Sequence, residues 1–172
     1  MDLKSLNAAD AETFCNALAD IFEHSPWVAE AIHHERPFQS ASALHQAMVA
    51  AVARAPQGAQ LALIRAHPDL AGKAALSGDL TRASTAEQAG AGLDTLTHAE
   101  LTRFTTLNDT YRKRFGFPFI IAVKGLDKYA ILDAYGPRLE NDRGAEIHFA
   151  LAQIGRIAGF RLEALLGHPV LE

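Results

Sequence analysis

The stretch THAELTRFTTLNDTYRKRFG, residues 97–116, has the pattern of a long helix. Its apolar and aromatic positions recur every three or four residues, which places them on one face of a helix. Thr97 and Glu100 form the Thr-x-x-Glu pattern of a capping box, in which each side chain bonds the other residue's backbone N–H. Gly116 can end the helix, because glycine readily adopts a left-handed C-terminal cap. The stretch predicts a long amphipathic helix carrying Leu101, Phe104, Leu107, Asn108, Tyr111 and Phe115.

Helical spacing continues through most of the chain. Asn7 is placed to cap a first helix, Ser25 and Pro26 suit the N-cap and first position of a second, and Ser40 precedes a third. A helix over 60–67 should end before Pro68, because proline disfavours helical geometry in the preceding residue. A final helix covers about 142–166. Convincing period-2 strands are absent, so the sequence predicts an all-α fold, a single-domain multi-helix bundle over residues 1–172.

One segment departs from the helical pattern. The residues GFPFIIAVKG, 116–125, are apolar, bounded by glycines and carry a proline near their start. They predict an extended apolar segment at about 117–123, either a lone buried strand or an extended loop. Its backbone polar groups would then need other partners or a ligand. A helix N-terminus inserted into the core is an equal alternative on the local pattern.

The composition of the chain limits the classes of partner and the cellular compartment that can be expected. A net charge of −4 gives no basic field for nucleic acid or anionic lipid. The single cysteine, Cys15, excludes an intramolecular disulfide, which fits a reducing compartment. Charged residues interrupt the N-terminus, so no signal peptide is recognised, and the apolar run FPFIIAV is too short to span a bilayer. We therefore expect a cytoplasmic protein without nucleic-acid or membrane partners.

Arg161 lies on an otherwise apolar stripe of the final helix. A guanidinium stays charged, so a core arginine must face an anion. A structural ion pair with Asp or Glu, or a side chain that extends to the helix edge, is the first interpretation. The functional alternative is a bidentate contact with a substrate carboxylate or a ureido-type carbonyl.

His67 follows Leu63 and Ile64 at helical spacing, so its ring should share their apolar face. The helix C-terminus favours a protonated ring and burial opposes it, a balance that suits acid–base chemistry near neutral pH. The alternative is a histidine that only caps the last carbonyls of its helix.

Ser84 and Glu87, in STAEQAGAGL, match the capping-box pattern with Ser84 at the N-cap and Glu87 at the third helical position. Such boxes are common, so Glu87 alone indicates structure more than catalysis. A carboxylate fixed at a helix start can still present an oxygen to a ligand, and Gln88 adds an amide that donates and accepts. Metal-binding spacings, nucleotide loops and the serine hydrolase elbow are absent from the sequence, so no metal site, nucleotide site or serine hydrolase is expected.

Four motifs together identify a resemblance to the OHCU decarboxylase family, which acts on 2-oxo-4-hydroxy-4-carboxy-5-ureidoimidazoline (OHCU) in urate breakdown. They are HPDLAGK, STAEQAGAGL, LNDTYRKRFGFPFIIAVKG, and RLENDRGAEI with IGRIAGFRLEAL, in the family's order. The resemblance runs from the first helix to about Leu166. It implies an all-helical homodimer that decarboxylates its ureide substrate without a cofactor and yields (S)-allantoin.

By position, the resemblance assigns the family's catalytic residues to His67, Glu87 and Arg161. It assigns substrate contacts to Pro68, Ser84, Gln88, Phe117, Phe119, Ile120, Ile121 and Ala122. Gly136 and Pro137 depart from the unbroken helix implied for 126–138, and Gly159 should loosen the last helix slightly. A dimeric binding protein without turnover, and a hydrolase or racemase of a neighbouring ureide, are the competing interpretations.

Overall fold

The computed structural model describes residues 1–171, except for the side chain of residue 74, and within that range it contains helices and turns but no β-strand. The predicted all-α class is confirmed. The α-helices in chain order are α1 (Leu3–Ala8), α2 (Ala11–Leu18), α3 (Trp27–Ile32), α4 (Ala41–Arg54), α5 (Gln57–Ala66), α6 (Lys73–Ser77), α7 (Arg82–Gly90), α8 (His98–Phe115), α9 (Lys128–Leu139) and α10 (Arg143–Leu166). A 3-10 turn, His33–Glu35, follows α3.

The caps predicted for α8 are confirmed. The Thr97 hydroxyl accepts from the Glu100 N–H at 3.2 Å, and the Glu100 carboxylate accepts from the Thr97 N–H at 2.8 Å. Gly116 ends the helix in the left-handed conformation, with φ 80°, and its N–H bonds the Arg112 carbonyl. The buried positions of α8 follow the predicted face and include Phe104, Asn108, Tyr111 and Phe115.

The predicted start of the first helix is wrong. Asp2 and Asp10 cap two short helices, α1 and α2, in place of one helix capped by Asn7. The Asn7 amide instead bonds both backbone groups of Phe38, at 2.9 Å and 2.8 Å. An amide engaged by a distant peptide is not available as a cap, which local sequence cannot reveal. Ser40 does cap α4 as predicted.

Helix α9 runs through Gly136 and Pro137, so the unbroken helix implied for the 126–138 region is present from Lys128 onward despite these two residues. A proline inside a helix removes one i to i−4 hydrogen bond. Here the carbonyl that loses it belongs to Asp133, which is exposed like Pro137 itself, so water can solvate the group. The proline also lies in the last turn, where few helical bonds follow it.

Gly159 lies inside the uninterrupted helix α10. A Cβ at this position would come within 2.6 Å of the Leu171 side chain, so the glycine admits a close approach of the C-terminal residues. The residue therefore serves the packing of α10 against the C-terminal residues.

The chain divides into two compact units. The first comprises residues 1–66 and 154–172, and the second comprises residues 67–153. The core of the first includes Phe14, Val28, Leu44, Met48 and Leu162, and that of the second includes Phe104, Tyr111, Phe117, Ile131 and Tyr135. The single domain expected over 1–172 stays a prediction. No helix among residues 1–171 combines the length and apolarity needed to cross a membrane.

Candidate active site in the second unit

The predicted site begins at residues 67–72, which we name the HPDLAG turn. Helix α5 ends at Ala66, so it stops before Pro68 as the sequence predicts. His67 opens the second unit and is only 6% exposed. Since Pro68 has a fixed φ, the imidazole has little backbone freedom on that side, and its position depends on how the rest of the turn is held.

Amide side chains from α7 and α8 hold the HPDLAG turn. Gln88 Oε1 accepts from the Ala71 N–H at 2.9 Å, and Gln88 Nε2 donates to the Asp69 carbonyl at 3.4 Å. Asn108 Nδ2 donates to the Leu70 carbonyl at 2.8 Å. Ala71 has φ 50°, a left-handed conformation that costs an L-residue about 1–2 kcal/mol. The bonds on either side of Ala71 therefore keep the turn in a conformation that its backbone alone disfavours.

Asp69 and Gly72 complete the turn. Arg112 Nη2 donates to both oxygens of the Asp69 carboxylate, at 3.0 Å each. A Cβ on Gly72 would lie 2.8 Å from Asp69 Cβ, closer than side chains approach one another. Glycine at 72 therefore allows the turn to close while Asp69 remains on Arg112.

Helix α7 carries Ser84, Glu87 and Gln88, but the predicted capping box is wrong. Thr81 is the N-cap, and its hydroxyl accepts from the Ser84 N–H at 3.2 Å. Ser84 is then a buried helical residue, and Glu87 lies in the helix interior with partial exposure. Thr81 and Ser84 both carry a hydroxyl that suits an N-cap. Capping by Thr81, three positions earlier, gives the longer helix. The spacing 84, 87 and 88 places all three side chains on one side of α7.

Residues 117–123, which we name the apolar segment, form an extended loop. The alternative of a helix N-terminus is therefore wrong. Phe117, Phe119, Ile120 and Ala122 are buried and Ile121 is partly exposed. The Ile120 carbonyl accepts from Arg138 Nη1 at 3.0 Å, and the Ala122 N–H donates to Gln153 Oε1 at 2.9 Å. These backbone groups thus have the protein partners that an extended segment without a sheet requires.

Sequence reasoning missed a buried charged cluster that anchors the apolar segment. Glu146 is 0% exposed, and its carboxylate accepts from Arg138 Nε at 2.8 Å, from Arg138 Nη2 at 2.7 Å and from Asn141 Nδ2 at 2.8 Å. Tyr111 also donates its hydroxyl to Glu146. The Arg138 guanidinium lies 4.8 Å from the centre of the Phe119 ring, a cation–π contact. The available signal was Glu146 itself, which shares a helical face with Ala150 and Ile154.

Two buried tyrosines of this unit stay protonated. Burial raises the pKa of Tyr111 well above its ordinary value, and the bond to Glu146 acts in the same direction. Burial likewise raises the pKa of Tyr135, with the Asp69 charge adding to the effect. Both phenols therefore remain hydrogen-bond donors, Tyr111 to Glu146 and Tyr135 to Asn108.

Arg161 belongs to the first unit, whereas the other predicted site residues belong to the second. Arg161 Nη1 pairs with Glu23 Oε2 at 2.8 Å and donates to the Asp20 carbonyl at 3.3 Å. Both charged side chains are buried, 8% exposed for Arg161 and 2% for Glu23. The expectation that this arginine faces an anion is confirmed, and the carboxylate of Glu23 is the anion inside the protein. The sequence pattern could not name this partner.

Comparison with known proteins identifies the family. The family model for OHCU decarboxylase matches residues 7–163. The chain belongs to the OHCU decarboxylase family. The resemblance read from the four motifs is therefore confirmed, and so is the enzyme class, a decarboxylase.

Members of the OHCU decarboxylase family and related structures resemble the chain over most of its length. A 2-oxo-4-hydroxy-4-carboxy-5-ureidoimidazoline decarboxylase from Halalkalicoccus jeotgali is 46% identical over 165 residues, covering 96% of this chain and 92% of that protein. The uric acid degradation bifunctional protein PucL of Bacillus subtilis is 44% identical, covering 95% of this chain and 32% of that protein. The crystal structure of an (S)-allantoin synthase superposes with a TM-score of 0.79 at 33% identity, covering 96% of this chain and 54% of that one.

Proposed function

We propose that this chain decarboxylates OHCU to (S)-allantoin and CO2 in urate degradation, with His67, Glu87 and Arg161 as its catalytic residues. One observation carries the assignment within the second unit: a buried imidazole sits on a turn that is fixed by the side chains of Gln88 and Asn108. The relatives named as decarboxylases of this substrate supply its identity.

The substrate's own structure supplies the route for the electrons. The bond between the ring carbon and its carboxylate breaks, and the electron pair moves towards the adjacent ring C=N, so no cofactor is needed as an electron sink. The ring nitrogen that receives this pair takes up a proton from solvent, which gives an enol. The neighbouring carbon then takes up a second proton while the hydroxyl loses one and becomes the ring carbonyl. His67 is the group proposed to handle the hydroxyl proton, because an imidazole can both accept and donate near neutral pH.

Stereochemistry depends on which face of the intermediate receives its proton. Ser84, Glu87 and Gln88 lie on one side of α7, which suits them to hold the ureido and ring groups of the substrate. Pro68 and the apolar segment, with Phe117, Phe119, Ile120, Ile121 and Ala122, would complete the substrate contacts. Buried apolar surroundings also favour loss of a carboxylate charge as neutral CO2.

Arg161 has a narrower task in this proposal. Its guanidinium would contact a carbonyl or carboxylate of the substrate while keeping Glu23 as its partner inside the protein. If Arg161 bound the departing carboxylate too tightly, it would stabilise the bound substrate before CO2 is lost and slow the reaction. A contact with the ureido carbonyl avoids that penalty.

We further propose that the enzyme is a cytoplasmic homodimer. The family resemblance implies the dimer, and the single Cys15 fits a reducing compartment. Light scattering coupled to size-exclusion chromatography would return twice the chain mass for a dimer. A mass equal to one chain would reject it.

The decisive experiment generates OHCU from urate in situ and follows allantoin chirality by circular dichroism. The spontaneous reaction gives both enantiomers, so rapid accumulation of the S form reports the enzyme. His67→Asn is expected to abolish the enzymatic S product with the fold intact, whereas His98→Asn, an exposed histidine at the start of α8, keeps wild-type activity. A racemic product at the spontaneous rate with the wild-type chain would instead support a binding protein without turnover.

Glu87→Gln provides a second arm of the same assay. Because Thr81 caps α7, the change leaves the helix cap in place, and thermal stability should stay near the wild-type value. Activity or S selectivity should fall. A variant with wild-type activity would remove Glu87 from the catalytic set.

A further inference from the structure

Two irregular segments of the second unit carry most of the proposed site, and they are connected by a pair of buried side chains. Asn108, on α8, donates from Nδ2 to the Leu70 carbonyl at 2.8 Å and accepts from the Tyr135 hydroxyl at 2.6 Å. The Tyr135 ring stacks on Phe119 with centroids 3.8 Å apart and planes 17° from parallel. An unbroken series of contacts thus runs from the HPDLAG turn to the apolar segment.

The position of Asn108 is unusual for a residue that only fills a core. It lies on the buried face of α8 between Phe104 and Tyr111 and is 6% exposed. Placing an amide there is unfavourable unless its polar atoms are bonded, whereas a leucine would fill such a face without this requirement. Both the oxygen and the nitrogen of Asn108 have partners, Tyr135 and Leu70.

The bond to Leu70 acts where the turn is strained. The next residue, Ala71, has φ 50°, and its N–H is held by Gln88. If the Leu70 carbonyl is released, the peptide between these residues can relax by rotation. That rotation would displace the residues immediately before it, including His67.

We infer that Asn108 and Tyr135 are positioning residues for the decarboxylation. They set the placement of His67 relative to the apolar segment by joining the Leu70 carbonyl to the Phe119 ring. This inference rests on the proposed function, and neither residue is assigned contact with the substrate.

Tyr135→Phe tests the pair with the least disturbance, because the ring and its stack on Phe119 are retained. The matched control is Tyr129→Phe, on the same helix, which removes an exposed hydroxyl that donates to Glu100 at 3.2 Å. Small displacements of catalytic groups lower the rate of the chemical step, so kcat of Tyr135→Phe should fall about tenfold with little change in KM. The control should keep wild-type kcat.

The pH profile of kcat separates positioning from stability. Tyr135→Phe and Tyr129→Phe both retain the Asp69–Arg112 pair on the turn, so this pair cannot cause a difference between them. A shift of the pH profile of kcat in Tyr135→Phe, but not in Tyr129→Phe, would therefore report altered proton handling at His67. A purely structural tyrosine would lower the melting temperature and leave kcat and its pH profile unchanged well below that temperature. That outcome would overturn the inference.

A double-mutant cycle adds an independent test. Because Tyr135 acts through Asn108, Tyr135→Phe should cause no further loss of kcat in an Asn108→Ala background. If the factors by which the two single substitutions lower kcat multiply in the double variant, Asn108 and Tyr135 act independently, and the inference that they act as a pair is rejected. If Asn108→Ala does not fold, the Tyr135→Phe variant alone decides the test.

The wild-type activity separates failure of this inference from failure of the proposed function. If the wild-type chain itself gave no S-allantoin, both would be rejected. An active wild type with unchanged kcat in Tyr135→Phe would reject only the inference.

Discussion

The HPDLAG turn and the apolar segment are both irregular parts of a helical unit, yet they are held in different ways. Neutral amides hold the backbone of the turn: Gln88 bonds the Ala71 N–H and Asn108 bonds the Leu70 carbonyl, whereas the ion pair of Asp69 with Arg112 is partly exposed. A buried charged cluster holds the segment, in which Arg138 bonds the Ile120 carbonyl and pairs with Glu146. The turn exposes part of its surface, whereas most of the segment is buried.

This difference indicates which substitutions affect the stability of the fold and which affect the position of the catalytic groups. A neutral hydrogen bond contributes about 0.5–1.5 kcal/mol, so loss of one from the turn leaves a folded protein with altered geometry. Removal of one partner of a buried ion pair costs about 3–5 kcal/mol, because the other charge remains without compensation. We therefore expect variants of the segment's anchor to lower the free energy of unfolding strongly and variants of the turn's anchors to alter catalysis.

Arg138→Met should have the largest effect on this comparison. It leaves the Glu146 carboxylate, 0% exposed, with hydroxyl and amide donors but no cation. The free energy of unfolding should fall by about 3–5 kcal/mol, as measured by urea denaturation.

The double variant Arg138→Met with Glu146→Gln is the matched control. A neutral amide can still accept from Tyr111 and removes the uncompensated charge, so part of the stability should return. If the single variant loses less than about 1 kcal/mol, the cluster is not what anchors the apolar segment.

Gly72→Ala should have an intermediate effect, centred on the turn. The new Cβ would lie 2.8 Å from Asp69 Cβ, so either Asp69 leaves Arg112 or the turn opens. Overpacking of this kind lowers the free energy of unfolding by about 1–3 kcal/mol. We expect kcat to fall as well, even under conditions in which the variant remains folded. Gly90→Ala, where a Cβ meets nothing within 4 Å, is the control for adding a methyl group. Equal stability and activity in both variants would show that the close approach at 72 has no consequence.

The smallest effect is expected at the partly exposed pair Lys128–Glu100, which joins the starts of α8 and α9. The Lys128 ammonium, with the Thr97 N–H, lowers the pKa of Glu100 from 4.5 to about 2. Because the folded-state pKa is depressed, the stabilisation is complete above the unfolded value and is lost as the pH falls from about 4.5 to about 2.

Glu100→Gln keeps a side chain that can serve in the capping box, so only the charge is tested. Unfolding free energies measured across that pH window should fall less steeply than in wild type. Lys128→Met should flatten the same part of the profile. An unchanged slope in both variants would show that this exposed pair does not contribute, in contrast with the buried cluster.

Much of the fold could be predicted because the signals are local. The Thr97–Glu100 box, the Gly116 cap and the Pro68 stop depend on residues within four positions of one another, and all three are present. The failures at Asn7 and Ser84 also have a common cause. Several side chains suited each cap, and distant contacts or helix length decided between them.

The candidate site was predictable only in part. The motifs named His67, Glu87 and Arg161, and the family they indicated is confirmed. Their surroundings were not predictable: the Glu23 carboxylate beside Arg161 is 138 positions away in the chain. Arg138 gave no signal, because its helix carries an internal proline and shows only weak segregation of apolar residues.

The all-α class, the main helix boundaries and the family follow from periodicity, caps and motifs, which are read within short windows of sequence. The connection of the HPDLAG turn to the apolar segment through Asn108 and Tyr135, and the pairing of Arg138 with Glu146, are established only by the folded chain. These contacts join residues from different helices, and their energies depend on burial and geometry that no local pattern specifies.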